Sequence, residues 1–312
     1  MYLDLTADQV RSGKSALAGR RIFVALVALG WFSFARADIA VTDDAGNAVI
    51  LARPAARIVS LAPHVTELLF AAGAGDRVVA AVEFSNHPEA ARQLPRIGSS
   101  AAFDLERIAA LKPELAIAWG SGNPPGQLAQ LRRLGVPVFV SEPRRLGDIP
   151  ASLRQIGRLT GQSADAEQAA QAFERRLAAL TAAQAGKRPV TVFYEIWNQP
   201  LMTIGGGHLI SAVMALCGGR NVFASLGQPA AAVEREAVLA ANPEAIVASG
   251  MDEARPEWLD EWRRWPQLVA VKRGNLFFVP PDLLQRHTPR ILDGATQVCD
   301  ALQRARKDQA GR

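Results

Sequence analysis

SADAEQAAQAFERRLAALTAAQA, residues Ser163 to Ala185, is the stretch on which the fold turns. Ser163 stands as an N-cap, and Asp165 and Glu167 fall in the first turn, where the helix dipole favours negative charge. Ala166, Ala169, Phe173, Leu177 and Leu180 recur at steps of three and four and form one apolar stripe. Gly186 is a natural stop, and Pro189 forbids further helix. At about 1.5 Å per residue the helix is roughly 33 Å long, the width of a small domain. Long and striped on one side only, it reads as a spine across two lobes.

The chain on either side has similar grammar. Upstream, Ala40–Thr42 and Ala48–Leu51 flank a glycine-containing turn and read as a hairpin. Strands at Arg57–Leu61, Val78–Val82, Leu115–Ala118 and Val136–Val140 then alternate with helices at Thr66–Ala72, Leu105–Leu111 and Gln127–Leu134. Downstream come strands at Val190–Ile196, Ala245–Ala248 and Leu276–Val279, with helices at Leu209–Leu216 and Ala237–Ala241. Such alternation predicts an α/β fold of parallel sheets covered by helices. The clearest echo sets LERIAALKPELAIA from Leu105 against REAVLAANPEAIVA from Arg235. With Pro113 on Pro243, Glu106 falls on Glu236, Ile108 on Val238 and Glu114 on Glu244. The halves are read as a duplication. The expected organisation is a leader over 1–37, one lobe over 38–145, a helical linker with the spine over 146–187, and a second lobe over 188–312.

Composition bounds the function. A chain of 312 residues that is 49% apolar can bury a sizeable core. The net charge of +5 comes from scattered arginines without an aromatic–basic motif, which argues against nucleic acid. Arg20-Arg21, the apolar run Ile22–Phe34 and Ala35-Arg36-Ala37 read as a secretory signal, too short to span a bilayer. The mature protein is expected to begin near Asp38, outside the cytoplasm and without a membrane span. An exported chain with two cysteines, Cys217 and Cys299, most simply joins them; two buried thiols are the alternative.

Catalytic patterns are weak. Phosphate-loop, nucleophile-elbow and zinc-protease motifs do not occur, and Gly205-Gly206-Gly207 reads as a sharp turn. His64, His87, His208 and His287 each stand alone in their local sequence, so no metal site is expected. Tryptophans carry more. Trp119 and Trp197 each close a strand and open a loop, and open α/β sheets bind ligands beyond the carboxyl ends of their strands. One tryptophan per lobe suggests a large, flat, partly apolar ligand held between the lobes.

RIVSLAPHVTELLFAAG from Arg57, FSNHP from Phe84, LERIAALKPELAIAW from Leu105, CGGRNVF from Cys217, REAVLA from Arg235 and PRILDGATQVC from Pro289 together carry a resemblance. The chain resembles the vitamin B12-binding periplasmic proteins of ABC importers, BtuF-like class III substrate-binding proteins. The likeness runs from about Arg57 to Leu302. It implies two Rossmann-like lobes bridged by one long helix, a periplasmic protein acting as a monomer, and cobalamin held as cargo rather than as a catalytic cofactor. It also implies delivery to an ABC permease and its ATPase. By resemblance Trp119, Trp197 and Phe84 contact the corrin, and Asp282 and Arg286 its polar edge. His87 falls in the same segment as Phe84 and is counted with the ligand-binding residues, although it departs from the family pattern. Glu67 and Glu236, expected to be exposed at the rim of each lobe, match the acids that engage the permease, and Cys217 and Cys299 match a family disulfide.

Two other classes compete. Haem and ferric siderophores travel on proteins of the same shape, and His87 and Tyr194 are then the expected iron ligands. A secreted two-lobe enzyme would pair His64 with Glu67 on one helix face.

Overall fold

The computed structural model describes residues 38–250 and 254–307. The export signal expected over 1–37 lies outside the described residues. A hairpin comes first: β1 (Ile39–Thr42) and β2 (Ala48–Leu51) pair antiparallel. The Asp43 carboxylate closes the turn by accepting the Ala45 and Asn47 amides. β3 (Ile58–Ser60) leads through α1 (Pro63–Ala71) to β4 (Val78–Ala81). A minor pair, β5 (Gly98–Ser99) and β6 (Ala102–Phe103), precedes α2 (Leu105–Ala110) and β7 (Leu115–Trp119). Then α3 (Pro125–Arg133) returns the chain to β8 (Val138–Ser141). The four long strands form one parallel sheet in the order β4-β3-β7-β8. Leu115 to Ala118 are all buried, as a strand covered on both faces demands.

Between the lobes lie α4 (Asp148–Thr160) and the spine α5 (Ser163–Gln184). Gly161, at φ +72°, makes the turn that joins them. Gly157 lets the two helices touch, since a Cβ there would sit 2.4 Å from Ala166 Cβ. Arg154 of α4 reaches Glu167 and Glu174, two turns apart on the spine. The predicted stripe is the packed face: Ala166, Ala170 and Phe173 are buried, and Ala169, Leu177 and Leu180 pack beside them. One detail is corrected. The N-cap position is Gln162, without a side-chain bond, and Ser163 already lies inside the helix. The C-cap of α4 runs straight into this turn and sets the entry instead.

The second lobe starts with β9 (Val190–Glu195), β10 (Trp197–Asn198), β11 (Leu201–Ile204) and α6 (Leu209–Leu216). There follow β12 (Gly219–Asn221), β13 (Ala230–Ala232), α7 (Arg235–Ala241) and β14 (Ala245–Ala248). The lobe ends with α8 (Val269–Lys272), β15 (Leu276–Phe278), α9 (Pro281–Leu284) and α10 (Ile291–Lys307). Its main sheet is parallel, ordered β12-β9-β14-β15. Counted from the start of each lobe, both main sheets read second, first, third, fourth. The sequence echo is therefore a topological one: α2–Pro113–β7 and α7–Pro243–β14 occupy equivalent places. A small antiparallel sheet, β10-β11-β13, belongs to the second lobe alone.

One apolar cluster runs through both lobes, taking in Leu68 of α1, Phe173 of the spine, Val192 of β9, Val213 of α6 and Val298 of α10. Separate clusters cover the outer face of each sheet, and Trp258, Trp262 and Trp265 belong to that of the second lobe. Cys217, at the end of α6, is bonded to Cys299 of α10 with 4.6 Å between Cα atoms. Both lie in the second lobe, so the bond ties the final helix back onto it. Replacing both by serine is expected to cost about 2–4 kcal/mol, because the bond closes a loop 82 residues long. Denaturant titration checks this; an unmoved midpoint would count against it. No helix among the described residues is long and apolar enough to cross a membrane.

Candidate functional site

In each main sheet the first and third strands are neighbours, so their crossovers leave to opposite faces and open a crevice at the carboxyl ends. In the first lobe that crevice lies between β3 and β7. Pro63 and His64 follow β3, and Trp119 ends β7. The loop after β7 is built to present the indole. Asn123, buried, accepts the Trp119 amide at 2.6 Å and donates to the carbonyls of Leu61 and Ser100 at 2.8 Å each. Gly122 lies under the ring, for a Cβ there would fall 1.8 Å from the indole Cε3.

These residues line a cavity of about 260 Å³ together with Phe84 from the first lobe and Pro281, Asp282, Gln285, Arg286 and His287 from the second. Phe84 is 75% exposed and adopts φ +61°. A bulky residue in the left-handed region carries strain, and strain of this kind clusters at ligand clamps. The His64 ring meets Trp119 edge-on, with centroids 5.5 Å apart.

Beneath the cavity an ion cluster joins the lobes. Glu67 of α1 is 4% exposed, and its carboxylate accepts from Arg286 at 2.8 Å, Thr288 at 2.9 Å and Arg290 at 3.1 Å. Arg286 also donates to Asn86 at 2.6 Å and to the Phe84 carbonyl at 3.1 Å, and pairs with Asp282 at 2.8 Å. One guanidinium thus fixes the backbone of the strained phenylalanine and bridges to the opposite lobe. Two carboxylates face two guanidiniums, so the cluster is neutral and its buried members are compensated.

Three imidazoles stand close by. His64 and His287 have ring centroids 6.3 Å apart, and His208, at the N-terminus of α6, lies 6.1 Å from His287. Burial, then the charges of His287 and Arg286, pushes His64 down from 6.5 to about 3. Burial and then His287 push His208 down to about 4, and burial lowers His287 as well. All three are neutral at pH 7. No group of three metal-ligating side chains among the described residues is placed to hold a bare ion.

Four of the expected ligand contacts, Phe84, Trp119, Asp282 and Arg286, come together at this cavity. Two do not. Trp197 is half-buried outside the lining, and its indole N–H donates to the Gln199 carbonyl at 2.7 Å. His87 is exposed and belongs to a separate depression lined by Glu67, Phe70, Pro88 and Arg290. The expectation that Glu67 is exposed is overturned, because the two arginines and Thr288 cover it; Glu236 is exposed as expected. Tyr194, expected as an iron ligand, is fully buried in β9, and burial drives its phenol pKa upward. The expected pairing of His64 with Glu67 does not form, since the carboxylate is engaged elsewhere. Sequence reasoning left out His64 and His287 as cavity residues. For His64 a signal existed, since Pro63-His64 directly follows a strand in the position where such sheets bind ligands. His287 offered none.

A family model described as periplasmic binding protein matches residues 58–283. The chain belongs to that family. Among periplasmic binding proteins it is similar to the vitamin B12-binding protein of Vibrio cholerae serotype O1, 38% identical over 255 residues, which are 81% of this chain and 91% of the relative. The crystal structure of the periplasmic vitamin B12 binding protein BtuF of Vibrio cholerae aligns with a TM-score of 0.75 at 38% identity, covering 81% of this chain and 99% of that one. The periplasmic heme-binding protein RhuT from Roseiflexus sp. RS-1, in apo form, aligns with a TM-score of 0.70 at 25% identity, covering 80% and 98%. The two lobes and their bridging helix are thus the class III periplasmic binding protein fold.

Proposed function

We propose that this protein captures cobalamin between its lobes and delivers it to an ABC permease and its ATPase, working as a monomer in the periplasm after export. The observation that carries the reading is one cavity that combines the aromatic faces of Phe84 and Trp119 with the charged edge of Asp282 and Arg286. A broad apolar ring bordered by hydrogen-bonding groups suits such a surface. The 38% identical relative named for vitamin B12 supports the same cargo. Phe84, Trp119, Asp282 and Arg286 are the contacts we retain; Trp197 and His87, outside the lining, would meet a large cargo only at its margin. No catalytic role is assigned to any residue.

Haem, or a ferric siderophore, is the second reading. It is favoured by the neutral imidazoles at the cavity and by the likeness to a heme-binding protein. Calorimetric titration with cyanocobalamin and with haemin separates the two. Saturable binding of cyanocobalamin is expected, and binding of haemin alone would reverse the order. Trp119→Ala is expected to weaken cobalamin binding by roughly one to two powers of ten, as loss of a central aromatic anchor does. Its melting temperature should fall only modestly, since the indole lines the cavity and is only partly buried. Unchanged affinity would remove the cavity from the binding site.

Docking is assigned to the acids that the duplication relates. Glu67 is enclosed, whereas Glu106 and Glu236 are both exposed, each in the first turn of its helix. The helices α2 and α7 lead into β7 and β14, so their N-termini lie at the carboxyl edges of the sheets, the rim of the cleft. We therefore pair Glu106, not Glu67, with Glu236 as the permease contacts.

A further inference from the structure

Among the described residues that line the cleft cavity, Arg286 is the one cation and Asp282 the one anion. A guanidinium owns five N–H donors. Arg286 commits both protons of Nη1, to Glu67 at 2.8 Å and to Asn86 at 2.6 Å. Both protons of Nη2 go to the Phe84 carbonyl at 3.1 Å and to Asp282 at 2.8 Å. Only Nε–H is left, so the fork that grips a carboxylate through two parallel bonds is closed. Two other arginines nearby are paired as well and do not line the cavity: Arg290 with Glu67, and Arg145, after β8, with Asp148.

Asp282 is the opposite case. Its Oδ1 holds Arg286, four residues on, while no described residue donates to Oδ2, and the side chain is 20% exposed. The ion pair spans a single turn and fixes the carboxylate against the cavity wall. His64, Gln285 and His287 complete the polar lining without adding charge, since burial keeps both imidazoles neutral at pH 7. A carboxylate brought beside Asp282 would meet a like charge, with the cation already paired. A primary amide would donate to Oδ2 and add no charge. The lining thus suits a neutral cargo rimmed by amides, and disfavours one rimmed by carboxylates, as haem is by its propionates.

We infer that Asp282 selects the cargo by accepting an N–H from one of its primary carboxamides, and that the cleft discriminates against the same macrocycle bearing carboxylates. Arg286 is then the positioning residue that holds the Asp282 carboxylate in place. The inference rests on the corrinoid reading above and goes beyond it in naming amidation as the feature recognised.

Calorimetric titration of the full-length mature protein at neutral pH with three corrinoids tests it. Dicyanocobinamide carries primary amides. The heptamethyl ester of dicyanocobyrinic acid is neutral and has no N–H groups, and dicyanocobyrinic acid itself is an anion. The parent is expected to bind the amide roughly 10- to 100-fold more tightly than the ester, the range for a hydrogen bond to a charged group. The acid should bind more weakly still. In Asp282→Ala the preference for amide over ester should shrink about tenfold. The acid should gain in that variant, because Arg286 recovers an open donor. A merely structural role for Asp282 would weaken all three ligands alike and leave their ratios unmoved. Unchanged ratios in Asp282→Ala would therefore overturn the inference, as would parent protein that binds the ester or the acid as tightly as the amide. The parent comparison decides even where the variant does not fold. Failure of cyanocobalamin and of all three corrinoids to bind the parent is a different result. It would overturn the corrinoid reading and the inference with it.

Discussion

Glu67→Ala is expected to lower the unfolding free energy by about 3–5 kcal/mol, the loss typical when one member of a buried ion cluster is removed. The substitution leaves Arg286, 9% exposed, with only Asp282 to balance it and withdraws the acceptor of Arg290 and Thr288. In a protein of this size the loss corresponds to a fall in melting temperature of roughly 10 °C. Glu67→Gln should recover part of it, since the amide oxygen still accepts one bond while the charge stays uncompensated. Differential scanning fluorimetry at neutral pH checks both. A melting temperature within a degree or so of the parent for Glu67→Ala would show that the cluster contributes little.

Reversing both rim charges, Glu106→Arg with Glu236→Arg, is expected to abolish the ATP hydrolysis that the protein stimulates in its reconstituted transporter, with cobalamin affinity intact. A single exposed ion pair adds little affinity, but one on each lobe fixes orientation and steers the encounter. Neither acid lines the cavity, so the cargo should not sense the change. The competing account makes both glutamates ordinary first-turn acids that stabilise their helices by about 0.3–1 kcal/mol. Under that account stimulation persists and only the melting temperature moves. Normal stimulation by the doubly reversed protein would therefore remove the docking role.

The contrast between Glu67 and Glu106 marks how far the sequence reached. The spine and the paired strands were legible because their information is local: an apolar period, a helix stop, a proline before a buried strand. The repeat around Pro113 and Pro243 carried further, since equal grammar in two halves became equal strand order in two sheets. At the site Trp119, Phe84, Asp282 and Arg286 were within reach through resemblance. The fate of Glu67 was not. Its covering residues, Arg286, Thr288 and Arg290, lie in the other lobe, and no periodicity in α1 records them. His287 was hidden for the same reason: its neighbours His64 and His208 come from distant strand–helix junctions. The helix α4 was read only as part of a helical linker, because Pro150 and Gly157 blur its pattern until Ala166 is seen against the glycine.

The apolar cluster that threads α1, the spine, β9, α6 and α10 has a consequence for how this protein comes apart. A molecule built of two lobes invites the picture of two melting units joined by a rod. Here the rod is the shared wall. Its striped face belongs to the interior of both lobes, so unravelling either one strips cover from the other, and the loss of one half is charged against the stability of the whole. Separated halves would each carry a raw apolar flank where the spine had been. The two lobes carry main sheets of one strand order, but the single helix between them leaves only one cooperative folding unit.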